Sequence, residues 1–130
     1  MVRITVVNDD TAFLSLMSEV LAERGWETRE VRESGDAYEV LKKEQPDLVI
    51  LDIRMDHQES GWTVLELLKL DPSTRAIPVI ICSAAMDDLR AKESWLNEHG
   101  IAILPKPFDI DDLYGRVEAL LGMNTQTSGG

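Results

Sequence analysis

The chain has 130 residues, room for one domain and one core, since two cores would each be starved of apolar area. Its 44% hydrophobic and 28% charged residues exclude disordered, collagen-like and disulfide-scaffold compositions. With 13 basic against 24 acidic residues the net charge is −11, which repels phosphate backbones and anionic lipid headgroups, so direct nucleic-acid binding is not expected.

The first apolar run, residues 4–7 (ITVV), reads as a strand. A helical stripe of Phe13, Leu14, Met17, Val20 and Leu21 follows over 11–24, with Gly25 as its stop. The second strand, 26–31 (WETREV), carries charges and belongs at a sheet edge. Ser34 then starts a helix as its N-cap, which runs through Ala37, Val40 and Leu41 to the breaker Pro46. The third strand is 48–51 (LVIL), and the next helix carries Val64, Leu65, Leu67 and Leu68. After strand 79–82 (VIIC), a helix over 87–98 has only the thin stripe Leu89, Lys92, Trp95 and Leu96. It should be the loosest and most mobile element. Strand 101–104 (IAIL) and a helix with Leu113, Val117, Leu120 and Leu121 complete the series.

Four of the five strands are continuously apolar, as strands covered by helices on both faces are. Strict alternation of strand and helix predicts parallel strands joined by right-handed crossovers. The expected fold is α/β: a doubly wound (βα)5 domain with a five-stranded parallel sheet, flavodoxin-like strand order 2-1-3-4-5 and helices on both faces. The domain should occupy 1–122, and the polar, glycine-rich stretch 123–130 reads as a flexible tail, linker or tag remnant. No run approaches the roughly 20 apolar residues of a membrane span, and MVRITVVNDD lacks the order of a signal peptide. No membrane insertion is expected, and a cytoplasmic location is. Cys82, the single cysteine, reads as a buried small hydrophobe and not as a redox centre.

In doubly wound sheets ligands bind beyond the carboxyl ends of the strands. There the first strand delivers Asn8-Asp9-Asp10, the third Asp52, the fourth Ser83, and the fifth Lys106-Pro107. Converging carboxylates repel unless a cation lies between them, and oxygen ligands favour Mg²⁺. A carboxylate beside such a cation can attack a phosphoryl group in line, while a nearby ammonium neutralises charge on the transferring oxygens. Asp52 is the expected nucleophile and Lys106 the second cation, with Ser83 donating a hydroxyl hydrogen bond to the acquired phosphoryl oxygens.

The segments VVNDD at 6–10, LVILDIRM at 48–55, IPVIICSA at 77–84 and LPKPF at 104–108 together resemble the response-regulator receiver family over residues 2–121. The resemblance implies that Asp52 is a phosphoacceptor and that Ser83 and Lys106 bind the phosphoryl group. It further implies Mg²⁺ held by Asp9, Asp52 and the backbone carbonyl of Arg54, and a cis bond before Pro107. A histidine kinase or histidine phosphotransfer protein is the implied donor, and a downstream effector protein or domain the implied target. The surface of the fourth helix, the fifth strand and the last helix is the implied switch.

Three departures from the family pattern stand out. Asn8 replaces the first of two acids, which leaves it at most a weaker contact to the metal through water. Ile103 replaces the Tyr or Phe whose rotamer follows phosphorylation. The loop after Asp52 lacks the usual proline and is one residue longer. Asn8 and Ile103 are also what a phosphorylation-independent pseudo-receiver, a protein-binding module, would carry. A phosphatase of the haloacid-dehalogenase type needs a second Asp two residues after the nucleophile, where Arg54 stands, so no enzyme activity beyond self-phosphorylation and slow self-dephosphorylation is expected. His57 and His99 read as solvated loop residues. Trp26, Trp62 and Trp95 read as packing residues, with Trp95 also a candidate partner anchor.

Overall fold

A computed structural model describes residues 1–54, 60–84 and 86–122. His57, the extra residue of the loop after Asp52 and the tail 123–130 lie outside the described residues.

Five parallel strands, β1 (Arg3–Val7), β2 (Glu27–Val31), β3 (Leu48–Leu51), β4 (Val79–Ser83) and β5 (Ala102–Pro105), form one sheet in the order β2-β1-β3-β4-β5. Register pairs Val7 with Val31 and with Leu51, Leu51 with Ile81, and Ser83 with Pro105. All five carboxyl ends therefore open at one rim. The helices are α1 (Thr11–Ala22), α2 (Ser34–Glu44), α3 (Ser60–Leu70), α4 (Met86–Ala91), α5 (Glu93–Glu98) and α6 (Ile110–Leu121).

Strand residues alternate between two cores because successive side chains point to opposite faces. Ile4, Val6, Ile50, Ile80, Cys82 and Leu104 pack with Leu14, Met17 and Leu21 of α1 and with Leu113 and Val117 of α6. On the other face Val7, Val49, Leu51, Val79 and Ile81 pack with Ala37 and Leu41 of α2, Leu65 and Leu68 of α3, Leu89 of α4 and Leu96 of α5. Each fully buried aliphatic side chain contributes about 1.5–3 kcal/mol relative to its exposed state. The edge strand β2 buries only Val31, in keeping with its charges.

Two boundaries differ from the sequence expectation. Glu33 is the N-cap of α2 and Ser34 its first helical residue, and no side chain caps this end. The segment expected as one helix over 87–98 is two short helices. Its ladder is interrupted at Lys92, whose N–H bonds to the Leu89 carbonyl at 3.2 Å, one residue short of α spacing, before Lys92 accepts from Leu96 at 3.0 Å. Among the described side chains of this segment Leu89 and Leu96 are the fully buried ones, so packing holds it on either side of Lys92 and leaves that point free to tighten.

Cys82 is buried, and burial pushes its thiol up to about 12. Trp26 and Trp62 are buried, and Trp95 packs partly buried against the α2 and α3 core. His99 is exposed but held: its ring lies 4.3 Å from that of Trp95, and its Nδ1 is 2.8 Å from the Trp95 carbonyl. Ile103 packs partly buried against the same core.

Candidate functional site

Backbone bonds lace the strand ends together. The Asp52 N–H donates to Val7 O at 3.1 Å, Asn8 N–H to Val31 O at 3.0 Å and Lys106 N–H to Ser83 O at 3.1 Å. Asp52, at the end of β3, keeps 12% of its side chain exposed and Lys106, after β5, 29%. Ser83, closing β4, and Asn8, following β1, are each 2% exposed. Asp9 is exposed at the rim, and its charge reaches Asp52.

Asp52 is held by donors on both oxygens. Oδ2 accepts from Asn8 Nδ2 at 3.3 Å and from Lys106 Nζ at 3.5 Å. Oδ1 accepts the Arg54 backbone N–H at 3.2 Å. Burial pushes its carboxyl above the ordinary value of 3.8. Lys106 and the Arg54 N–H pull the other way, and Asp9 adds to the upward push.

The three residues of the first rim segment divide the work. Asp10 caps α1, its Oδ1 accepting from the N–H groups of Ala12 at 3.0 Å and Phe13 at 3.3 Å. Asn8 Oδ1 accepts the Asp10 N–H at 2.8 Å, which turns the amide NH2 toward Asp52. Asn8 therefore presents a donor to Asp52, and one of the two lone pairs of its amide oxygen is taken by the Asp10 N–H. Asp9 and Asp52 leave carboxylate oxygens, hard ligands, at the rim. Such a set fits Mg²⁺ bound by one or two carboxylates plus water.

Two features escaped the sequence reading. Gly61, at the start of α3, leaves no room for a side chain: a Cβ there would sit 2.2 Å from Asp52 O and 2.5 Å from Ile53 Cα. A glycine opening an otherwise well-formed helix is the signal that could have found it. Phe13 fits the helical stripe of α1, yet its ring stands beside Lys106, with Nζ 4.5 Å from the ring centroid. The Lys106–Pro107 bond is cis, as the resemblance implied.

Fold and rim together define a flavodoxin-like doubly wound domain with two carboxylates and a lysine gathered beyond β1, β3 and β5. Residues 4–118 match the response regulator receiver domain, and the chain belongs to that family, which serves two-component signalling. It is similar to the DNA-binding dual master transcriptional regulator RpaA of Synechocystis sp., 31% identical over 93% of this chain and 49% of that protein. It is 32% identical to the DNA-binding transcriptional regulator NtrC of Proteus hauseri over 89% of this chain and 24% of that one. The chain thus spans about half or less of these curated relatives. Among solved structures, the receiver domain of Francisella response regulator 1452 superposes with a TM-score of 0.80 at 26% identity, covering 94% of this chain and 98% of that one. Among the described residues no helix is long and apolar enough to cross a membrane.

Proposed function

We propose that this receiver domain takes a phosphoryl group from a phosphohistidine of a histidine kinase or histidine phosphotransfer protein onto Asp52. The observation that carries this reading is the Asp52 carboxylate held at the rim between the Lys106 ammonium and the Arg54 N–H. A carboxylate oxygen attacks phosphorus in line, a P–O bond forms as the P–N bond breaks, and the imidazole leaves with the electron pair and takes up a proton. Lys106, already beside Oδ2, offsets charge on the transferring oxygens. Ser83, at the end of β4, donates its hydroxyl to a phosphoryl oxygen, an acceptor that only the modified state offers.

Asp9, Asp52 and the Arg54 carbonyl are the residues that would hold Mg²⁺, which when bound neutralises the rim carboxylates and the phosphoryl oxygens. Asn8 contributes no negative charge to that site.

Once formed, the Ser83 contact biases the end of β4 and with it the neighbouring α4, α5, β5 and α6 surface toward a state read by an effector protein or domain. The net charge of −11 supports protein partners and not direct contact of this domain with nucleic acid, and a phosphohistidine donor of this kind places the exchange in the cytoplasm. The chemistry is confined to the domain's own phosphorylation and slow hydrolysis. Asn8 and Ile103 favour a second reading, a pseudo-receiver that binds partners without phosphorylation.

Phosphoramidate, which carries the P–N bond of phosphohistidine, separates the two. In the presence of Mg²⁺ it should give a hydroxylamine-labile acyl phosphate that peptide mapping assigns to Asp52. A chain that stays unmodified at saturating metal and donor while still binding an effector is a pseudo-receiver.

A further inference from the structure

Lys106 has a third neighbour besides Asp52 and its own strand. The Phe13 ring of α1 lies with its centroid 4.5 Å from Nζ, while Nζ is 3.5 Å from Asp52 Oδ2. Phe108, from the segment just after Lys106-Pro107, meets Phe13 edge-on with centroids 6.5 Å apart and an interplanar angle of 83°. Two parts of the chain far apart in sequence thus build an aromatic wall on one side of the ammonium.

That wall has work to do because a lysine is a point charge on a long flexible stem. At 29% exposure Lys106 has water within reach, and the carboxylate alone sets a distance without fixing a direction. A ring face attracts a cation through its quadrupole, and the edge-on partner keeps that face turned toward it. The Asp52 oxygens change charge and position when a phosphoryl group is added, whereas the Phe13 ring carries no group that the reaction alters. The ring is the part of the ammonium's surroundings common to both states.

We propose that Phe13 is a positioning residue for phosphoryl transfer, its ring face, buttressed by Phe108, holding the Lys106 ammonium beside Asp52. The inference rests on Asp52 being the phosphoacceptor, and it adds a residue outside the polar set that the family resemblance implies. Its simpler competitor is that Phe13 only fills the periphery of the α1 and α6 core, where it packs partly buried. Volume and quadrupole are separable. Leucine keeps much of the bulk without a face, tyrosine keeps the face, and pentafluorophenylalanine keeps the shape while reversing the sign of the face.

The experiment measures phosphorylation by acetyl phosphate at saturating Mg²⁺, Mg²⁺ affinity by calorimetry, and the proton shifts of the Lys106 ε-methylene by NMR. Phe13→Leu and the pentafluoro variant should slow phosphorylation about two- to thirty-fold, the range a cation–π contact supports, with Mg²⁺ affinity unchanged. Phe13→Tyr should stay within about twofold of the parent. The ε-methylene protons, shielded by the ring in the parent and in Phe13→Tyr, should move downfield in Phe13→Leu. A pentafluoro variant that matches the parent rate overturns the proposal even if Phe13→Leu fails to fold, and so does a Tyr variant as slow as Leu. If the parent takes up no phosphoryl group, the phosphoacceptor reading fails and the positioning role falls with it. The ε-methylene shifts then still report whether the contact exists, which keeps the two failures distinct.

Discussion

Replacing Asn8 by Asp exchanges a hydrogen-bond donor for a like charge at the same place. Asn8 Nδ2 stands 3.3 Å from Asp52 Oδ2, and Asn8 is 2% exposed, so the new carboxylate cannot swing out to water without opening the rim. Two unit charges at that separation repel by about 1 to 5 kcal/mol at effective dielectrics of about 80 down to 20. The lost bond to a charged acceptor adds about 1.5–3 kcal/mol. A divalent cation about 6 Å from the new carboxylate, the span of contact through one water, returns about 1 to 5 kcal/mol over the same dielectrics. Asn8→Asp should therefore be less stable than the parent without metal, tighten Mg²⁺ at least several-fold, and recover most of its stability once loaded. Asn8→Ala, which removes the donor and adds no charge, should lose stability with little change in Mg²⁺ affinity. Calorimetric titration with Mg²⁺ and thermal melts with and without metal decide this for all three proteins. Equal dissociation constants and equal metal-free melting temperatures for Asn8→Asp and the parent would refute the reasoning, because the amide would then not face Asp52.

Gly61→Ala forces a methyl group against the backbone of Asp52 and Ile53, so either β3 or the start of α3 must shift. Urea unfolding should show a loss of about 1–3 kcal/mol, and phosphorylation should slow even under conditions where the variant is folded. Asp71 is held below its ordinary value of 3.8, first by the Tyr38 hydroxyl that donates to it from α2, then by Ser73, with Lys42 Nζ at 3.2 Å. A carboxylate with a lowered folded pKa stabilises above its unfolded value, and that stability is lost as pH falls toward the folded one. Asp71→Asn should therefore be less stable at neutral pH and show a shallower loss of melting temperature below about pH 4, and equal acid slopes in the two proteins would contradict the assignment.

The strands were legible because β1, β3 and β4 are buried on both faces and so are almost wholly apolar, and the charges of β2 marked it as an edge, whereas the other edge strand, β5, is as apolar as the central ones although it buries only Leu104. The parallel sheet and the convergence of Asn8, Asp52, Ser83 and Lys106 at one rim followed from that alternation with helices, whereas the order β2-β1-β3-β4-β5 came with the flavodoxin-like fold and not from the alternation itself. The break at Lys92 was not legible, because Ala91-Lys92-Glu93 contains no glycine or proline and is interrupted by what its ends pack against. The role of Gly61 depends on how closely α3 approaches the β3 backbone, a distance no local pattern encodes. Phe13 obeys the same 3.6-residue period as Leu14 and Met17, so nothing in the spacing separates the ring that faces Lys106 from the side chains that face the sheet. The sequence marked Asn8 as an anomaly. Its direction became readable only with the Asp10 N–H on Oδ1, which decides which end of the amide meets Asp52.

The central claim, that Asp52 is a phosphoacceptor, is met most directly by intact mass spectrometry after incubation with acetyl phosphate and Mg²⁺. The parent should gain one phosphoryl group, prior EDTA treatment should suppress the gain, and Asp52→Asn should gain none. An adduct that persists on Asp52→Asn, or a parent left unmodified at every metal concentration, would contradict the account.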